Sequence, residues 1–179
     1  STQLDPGAVA FIFTTPPSTL GSFLATTGLK YGLAFNLDTD YQKIFATDST
    51  YTESPWSYMT PPNETDLSKL RHRGAKLMVY HGAADGIFSA ADTANWYESL
   101  QTANSGNAAD FARYFVVPGM NHCSGGPSTD QFDMLTQLVN WVEGKSAAPD
   151  SVVANARGTG ANVVNTEVPA TWSATRSRP

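Results

Sequence analysis

The stretch that decides the fold is KLMVYHGAAD at 76–85. Its apolar run, LMVY at 77–80, lies between Gly74 and Gly82 and is followed by Asp85. A short apolar run bounded by glycines is typical of a buried parallel strand. Open α/β sheets place their catalytic groups just past the carboxyl ends of such strands. We therefore predict a buried strand with Asp85 in the loop that leaves it.

A second strand of the same kind follows along the chain. FARYFVV at 111–117 is again apolar, and His122 comes a few residues after it. Between the two strands, SAADTANWYESLQTA at 89–103 begins with a capping serine and predicts a helix. Strand, helix and strand in this order predict a parallel pair, so the loops that carry Asp85 and His122 lie at the same edge of the sheet.

Three zones follow from the pattern around these strands. Residues 66–145 form the organised part, in which DLSKLRHRG at 66–74 and TDQFDMLTQLVNWVEG at 129–144 predict further helices. Residues 1–65 are rich in loop signals and are predicted to be the end of a lid or insertion that returns to the body. Residues 146–179 are small and polar and predict a tail that packs on the body. The predicted fold class is α/β, with parallel strands and flanking helices.

Composition limits the classes of partner. The net charge is -5, and only 15% of residues are charged, against roughly 25% in typical domains. An acidic chain poor in charge argues against nucleic acid or an anionic membrane as partner. No apolar run approaches the roughly 18 residues of a membrane span.

Asp85 and His122 are the candidate catalytic residues. A carboxylate can orient an imidazole, and the imidazole can take a proton from a hydroxyl nucleophile and return it to the leaving group. Aspartate before histidine is the chain order of an α/β-hydrolase triad. The alternatives are a helix-entry aspartate and a surface histidine. His81 competes for the base role, although we interpret it as a packed histidine that supports the aspartate loop.

The nucleophile of such a triad is missing from the sequence. No G-x-S-x-G pattern occurs, and Ser124 and Cys123 both follow His122 directly. We expect the nucleophile on an upstream segment or on another chain. The histidines show no H-x-x-x-H spacing, so we expect no metal site among these residues.

The stretch from about 65 to 150 resembles the tannase and feruloyl esterase family of serine esterases. The resemblance rests on three blocks, TDLSKLRHRGAKLMVYHGAAD, FSAADTANWYESL and FARYFVVPGMNHCSGGPSTDQFDMLTQLVNWVEGKSAAPD. The pattern HGxxDxxFSxxDT and the upstream FTTPP resemble the subgroup of this family that contains a mono(2-hydroxyethyl) terephthalate hydrolase. The resemblance implies the C-terminal part of an α/β-hydrolase fold.

The resemblance also implies roles for single residues. Asp85 and His122 match the family's triad aspartate and histidine, whose serine lies far upstream. Cys123 matches a cysteine that forms a disulfide with the residue before that serine. Phe13 and Phe88 match positions that contact the acyl ring of the substrate, with core packing as the alternative for both.

The implied function is hydrolysis of aromatic carboxylic esters of the feruloyl, galloyl or terephthaloyl type by a secreted or periplasmic enzyme. Its partners would be the ester substrate and the N-terminal segment that carries the serine, without which this chain should be inactive. Family lids often hold calcium, but Asp38 and Asp40 are too few to form such a site here, so any calcium is expected in the missing lid. The alternatives are a non-catalytic accessory domain derived from such an esterase and a two-chain enzyme joined through Cys123.

Overall fold

The computed structural model describes residues 4–18, 25–157 and 165–169. Contacts divide the chain into two compact units, Ser1–Glu64 and Thr65–Pro179. The first unit contains α1 (Leu4–Phe11), α2 (Ala25–Ala34), a 3-10 helix (Tyr41–Ile44) and α3 (Pro55–Met59). The second contains α4 (Ser68–His72), β1 (Leu77–Gly82), α5 (Ala90–Ala103), a 3-10 turn (Ala108–Asp110), β2 (Ala112–Val117), β3 (Gln131–Phe132), α6 (Met134–Val142), β4 (Ser151–Asn155) and β5 (Asn165–Pro169).

The predicted strand, helix and strand are present. β1 and β2 pair in parallel, from Leu77 opposite Ala112 to Gly82 opposite Val117. α5 connects them, and the Ser89 side chain accepts a hydrogen bond from the backbone N–H of Asp92, as the sequence predicted. One face of the pair packs against α5 through a cluster of buried side chains. These are Ala94, Tyr97, Leu100, Ala108, Phe111, Ala112 and Tyr114.

The second face of the parallel pair is covered by a small antiparallel sheet in the order β3–β4–β5. Val152 and Ala154 of β4 are buried with Phe115, Val117 and Met120. The segment after residue 145 is therefore more regular than its composition indicated, because alternate apolar residues of β4 face this core. The proposed zone boundary at residue 145 stays a prediction.

The helix predicted at 129–144 is shorter than expected. Phe132 lies in β3 and pairs with Ala154, and α6 begins only at Met134. Asp133 explains the late start, because its side chain accepts the backbone N–H of Thr136 at 2.8 Å and caps the helix there. Periodicity alone placed Phe132 on the helix, whereas strand pairing and the cap decided otherwise.

One apolar face of α6, here called its outward stripe, and one edge of β1 are not covered by any other described element. Leu135, Val139 and Val142 recur at helical spacing, and all three are exposed. β1 pairs with β2 only, and no other described strand lies along its second edge. Parallel strands are normally buried on both faces within larger sheets, so this edge is unusual for the fold class.

The first unit centres on the segment after α1. The Thr14 hydroxyl donates to the Val9 carbonyl at 2.6 Å, and Thr15 donates its backbone N–H to the Lys43 carbonyl at 3.0 Å. Both threonines are buried, and Phe13 beside them is half-buried. No helix in the described part of the chain is long and apolar enough to cross a membrane.

Candidate active site

Asp85 lies in the turn that leaves β1, and its carboxylate is almost fully saturated with donors. Oδ1 accepts the backbone N–H groups of Ile87 at 2.8 Å and Phe88 at 3.0 Å. The side chain is only 4% exposed. The aspartate side chain thus folds its own loop into a turn, which is a common local role for aspartate, while Oδ2 faces the other strand end.

His122 lies in the loop that leaves β2 and meets Asp85. Its Nδ1 is 2.9 Å from Asp85 Oδ2, and the imidazole is 38% exposed. With the Nδ1 proton donated to the carboxylate, Nε2 is the ring atom left to accept a proton from a nucleophile. The structure therefore brings together the two residues that the sequence singled out, in the relative geometry of an aspartate–histidine pair.

Burial and hydrogen bonding shift the pKa of Asp85 in opposite directions. Burial is the largest and raises the pKa, because a charged carboxylate loses its hydration. The hydrogen bond from His122 and the backbone N–H groups of Phe88 and Ile87 together outweigh burial and hold the pKa of Asp85 well below its usual range. Asp85 is therefore an anion at neutral pH, as an orienting carboxylate must be.

A close approach between the two loops fixes their relative position. The backbone N–H of Ala84 donates to the Met120 carbonyl at 3.0 Å. Gly82 makes this approach sterically feasible, since a Cβ at this position would lie 2.2 Å from Met120 O. The loop that leaves β1 (the aspartate loop) and the loop that leaves β2 (the histidine loop) are thus hydrogen-bonded to each other. This hydrogen bond lies one residue before Asp85 and two residues before His122.

The histidine loop is held from its far side by Asp130. The carboxylate is 1% exposed and accepts the backbone N–H of Gly125 at 2.6 Å and Nε of Arg157 at 2.8 Å. These hydrogen bonds, with that of Gly125 foremost, lower the pKa of Asp130. We call these contacts of Asp130 with Gly125 and Arg157 the Asp130–Arg157 bracket. The sequence did not predict it, because it joins the histidine loop to a residue just after β4 and no local pattern indicates that pairing.

His81 packs beside Asp85, as the sequence indicated, and does not occupy the position of the base. Its Nδ1 is 2.8 Å from the Thr93 hydroxyl oxygen on α5. Its Nε2 is 3.2 Å from Asp85 Oδ2, but outside the angular limits of a hydrogen bond. Thr93 was missed as a contributor, although its place on the same helical face as Tyr97 was visible in the sequence.

The remaining sequence candidates occupy different places. Phe88 is 62% exposed, and its ring centroid lies 5.3 Å from that of His122. Cys123 is exposed, carries no disulfide and has a φ of 62°. Phe13 belongs to the first unit and is half-buried. The structure thus brings Phe88 to His122, and it leaves the Cys123 thiol accessible.

The described residues contain no cluster of three or more histidine, cysteine, aspartate or glutamate side chains placed to hold a metal ion. Asp40, considered as a calcium ligand, instead accepts the backbone N–H of Asn36 at 2.8 Å and pairs with Lys43 at 2.6 Å. Its carboxylate closes a local turn. Calcium in a lid segment outside these residues stays a prediction.

Solved structures with the same architecture identify the fold. Tannin acyl hydrolase from Aspergillus niger superposes with a TM-score of 0.58 at 20% identity, over 94% of this chain and 30% of that one. Feruloyl esterase B from Aspergillus oryzae gives a TM-score of 0.57 at 17% identity, over 92% and 32%. The predicted fold class, the C-terminal part of an α/β-hydrolase, is confirmed.

Sequence relatives point to the same group. The chain is 48% identical to mono(2-hydroxyethyl) terephthalate hydrolase of Piscinibacter sakaiensis over 142 residues, which are 79% of this chain and 23% of the relative. It is 33% identical to a probable feruloyl esterase B-2 of Aspergillus flavus over 119 residues, which are 55% of this chain and 22% of the relative. The chain thus spans about a quarter of the length of the curated relatives that it matches.

The model of the family described as tannase and feruloyl esterase matches residues 23–177, most of the chain, as the resemblance predicted. The chain belongs to the tannase and feruloyl esterase family.

Proposed function

We propose that this chain supplies the acid–base half of a serine esterase that hydrolyses aromatic carboxylic esters. The observation that carries the proposal is the 2.9 Å contact between His122 Nδ1 and Asp85 Oδ2 at the carboxyl ends of two parallel strands. Both relatives described above are named for ester hydrolysis, which gives the aspartate–histidine pair its chemical context.

In this mechanism a serine from another segment attacks the ester carbonyl while His122 takes its proton at Nε2. Asp85 holds the imidazole in the required tautomer and stabilises the imidazolium that forms. His122 then protonates the departing alcohol, which leaves an acyl-enzyme. Water attacks the acyl-enzyme with His122 again as base, and the acid and the free serine are released.

The proposed substrate class is supported by the relatives and by Phe88. The relatives are named for feruloyl and terephthalate esters, both of which carry an aromatic acid. Phe88 offers an exposed aromatic face next to His122, where it would lie against the acyl ring of a bound ester. Phe13 stays a predicted contact of the acyl ring, with core packing as the alternative.

The segment that carries the serine is proposed to cover the open edge of β1 and the outward stripe of α6. The relatives are about four times as long as the matched region, so ample chain exists to supply a further strand and helix. A parallel strand beside β1 would satisfy its free backbone groups and deliver its own carboxyl end to the same edge as Asp85 and His122.

Cys123 is proposed to form a disulfide with a cysteine of that same segment. Its thiol is exposed and adjacent in sequence to His122, so a bridge there would tie the histidine loop to the nucleophile loop. A disulfide also suits the proposed secreted or periplasmic location. Mass spectrometry of the full-length enzyme under non-reducing conditions should find Cys123 in a cross-linked peptide; a free thiol in the folded, active enzyme would contradict the bridge.

The test of the function uses the full-length enzyme and a panel of feruloyl, galloyl and terephthaloyl esters. We expect Asp85→Asn and His122→Ala each to lower kcat by roughly 10⁴-fold. Asp150→Asn and His72→Ala are matched controls, since both residues are exposed, and should leave kcat unchanged. Near-normal turnover of the Asp85 and His122 variants would refute the proposal and favour an accessory domain.

A further inference from the structure

Asp85 has a second imidazole at its carboxylate, and the mechanism above does not use it. His81 Nε2 is 3.2 Å from Asp85 Oδ2, on the same oxygen that His122 contacts. The side chains of His81 and Asp85 are 14% and 4% exposed, so neither is freely hydrated. Oδ2 therefore lies between two imidazole rings, while Oδ1 is occupied by two backbone N–H groups.

The hydroxyl of Thr93 determines how His81 can act. At 2.8 Å it lies within hydrogen-bond distance of His81 Nδ1, on the opposite side of the ring from Asp85. When that hydroxyl donates to Nδ1, the single proton of a neutral imidazole is on Nε2. Nε2 then presents an N–H group to Oδ2. The other tautomer would present a lone pair to an anion, which is repulsive.

Nε2 of His81 is buried and makes no hydrogen bond among the described residues, because its angle to Oδ2 is poor. A buried ring nitrogen without a partner is costly, and the nearest acceptor is this carboxylate. Catalytic hydrogen bonds are often misaligned in unliganded enzymes and tighten in the substrate complex. A small rotation of the ring would complete this one.

We propose that His81 is a positioning residue for Asp85 and that Thr93 fixes its tautomer. The inference rests on the proposed function and extends the site to four side chains, in the order Thr93, His81, Asp85 and His122. The Nε2–H group holds Oδ2 in the direction that His122 requires, and it excludes water from that side of the carboxylate. Loss of this group lets the carboxylate turn, and the imidazole of His122 turns with it.

The test compares two amides at position 81 in the full-length enzyme. The side-chain nitrogen of His81→Gln reaches the place of Nε2, whereas that of His81→Asn reaches only the place of Nδ1. We expect His81→Asn to lower kcat by about 10- to 100-fold, since a misplacement of about 1 Å in an active site costs this much. KM should stay within about threefold and His81→Gln should recover most of kcat, because the amide replaces the donor without touching substrate.

Position 93 gives an independent pair if the histidine variants fold poorly. Thr93→Ser keeps the hydroxyl and should keep kcat, whereas Thr93→Val is close in shape, lacks the hydroxyl and should lower it. Equal kcat for His81→Gln and His81→Asn, or a loss confined to KM, would overturn the positioning role. If Asp85→Asn and His122→Ala remain active, the proposed function fails instead, so the two failures are distinguishable.

Discussion

Gly82 offers a precise way to disturb the site without touching either catalytic candidate. It is the last residue of β1, and the histidine loop lies directly against it. A Cβ at this position would lie 2.2 Å from Met120 O, 2.6 Å from Asn121 O and 2.8 Å from Met120 C. All three neighbours are backbone atoms, so no side-chain rotation can relieve the clash.

The required displacement can be read from these distances. Cβ contacts shorter than 3.0 Å essentially never occur, so Met120 O must move by about 0.8 Å or more in Gly82→Ala. The same carbonyl accepts the N–H of Ala84 at 3.0 Å, and His122 lies two residues further along the moving loop. We expect this displacement to reach His122 and to disrupt its 2.9 Å hydrogen bond with Asp85.

We expect Gly82→Ala to lower kcat/KM of the full-length enzyme by about 100-fold, the usual cost of such a misplacement. Overpacking of this kind should also lower the free energy of unfolding by about 1–3 kcal/mol. Steady-state kinetics and denaturant unfolding measure the two effects. Gly86→Ala is the matched control in the same loop, because a Cβ there meets no atom within 4 Å.

Activity of Gly82→Ala within about threefold of wild type would refute this reasoning, because a catalytic pair aligned through the loops cannot absorb such a shift. It would show that the histidine loop does not depend on its contact with β1. A loss of stability with unchanged kcat would lead to the same conclusion.

Three further predictions test other parts of the molecule. Phe115→Ala, at a fully buried position of β2, should lower the free energy of unfolding by about 3–5 kcal/mol in a denaturant titration, whereas Val153→Ala, at an exposed position of β4, should cost less than about 1 kcal/mol. Asp130→Asn should lower the melting temperature and kcat together, because the Asp130 carboxylate holds the histidine loop. The control Asp150→Asn, in a surface ion pair, should change the unfolding free energy by less than about 1 kcal/mol. Equal melting temperatures of Asp130→Asn and the wild type would contradict the role of Asp130. The pKa of Asp85 in the folded state lies below its unfolded value of about 3.9. Ionised Asp85 therefore stabilises the fold above about pH 4, and this stabilisation is lost as the pH falls towards the folded-state pKa. Asp85→Asn should accordingly flatten the pH dependence of the melting temperature below about pH 4.

Local patterns predicted the parts of the fold that depend on near neighbours in the chain. Apolar runs between glycines marked β1, and the capping serine marked the start of α5. The placement of Asp85 and His122 after consecutive strands predicted that they would meet, because parallel strands bring their carboxyl ends to one edge. The contact at 2.9 Å agrees with that expectation.

Patterns failed where two competing structures share one periodicity. Phe132 fits the apolar steps of α6, but in the structure it pairs with Ala154 in β3. The composition after residue 145 predicted a tail that packs on the body but did not predict its strands, because small residues carry little signal when they form short antiparallel strands. The misplaced start of α6 and the unpredicted strands both lie where pairing with a distant segment overrides local preference.

The sequence by itself predicted that Asp85 and His122 would meet, since an aspartate and then a histidine follow consecutive strands and parallel strands bring their carboxyl ends to one edge. The class of ester hydrolase came from the resemblance to the family and not from residue order. The tertiary structure alone decided how that pair is held. The Asp130–Arg157 bracket, the approach of Met120 O to Gly82 and the chain from Thr93 through His81 join residues far apart in sequence. Such contacts depend on distances set by packing of whole elements, and no local arrangement of residues encodes them.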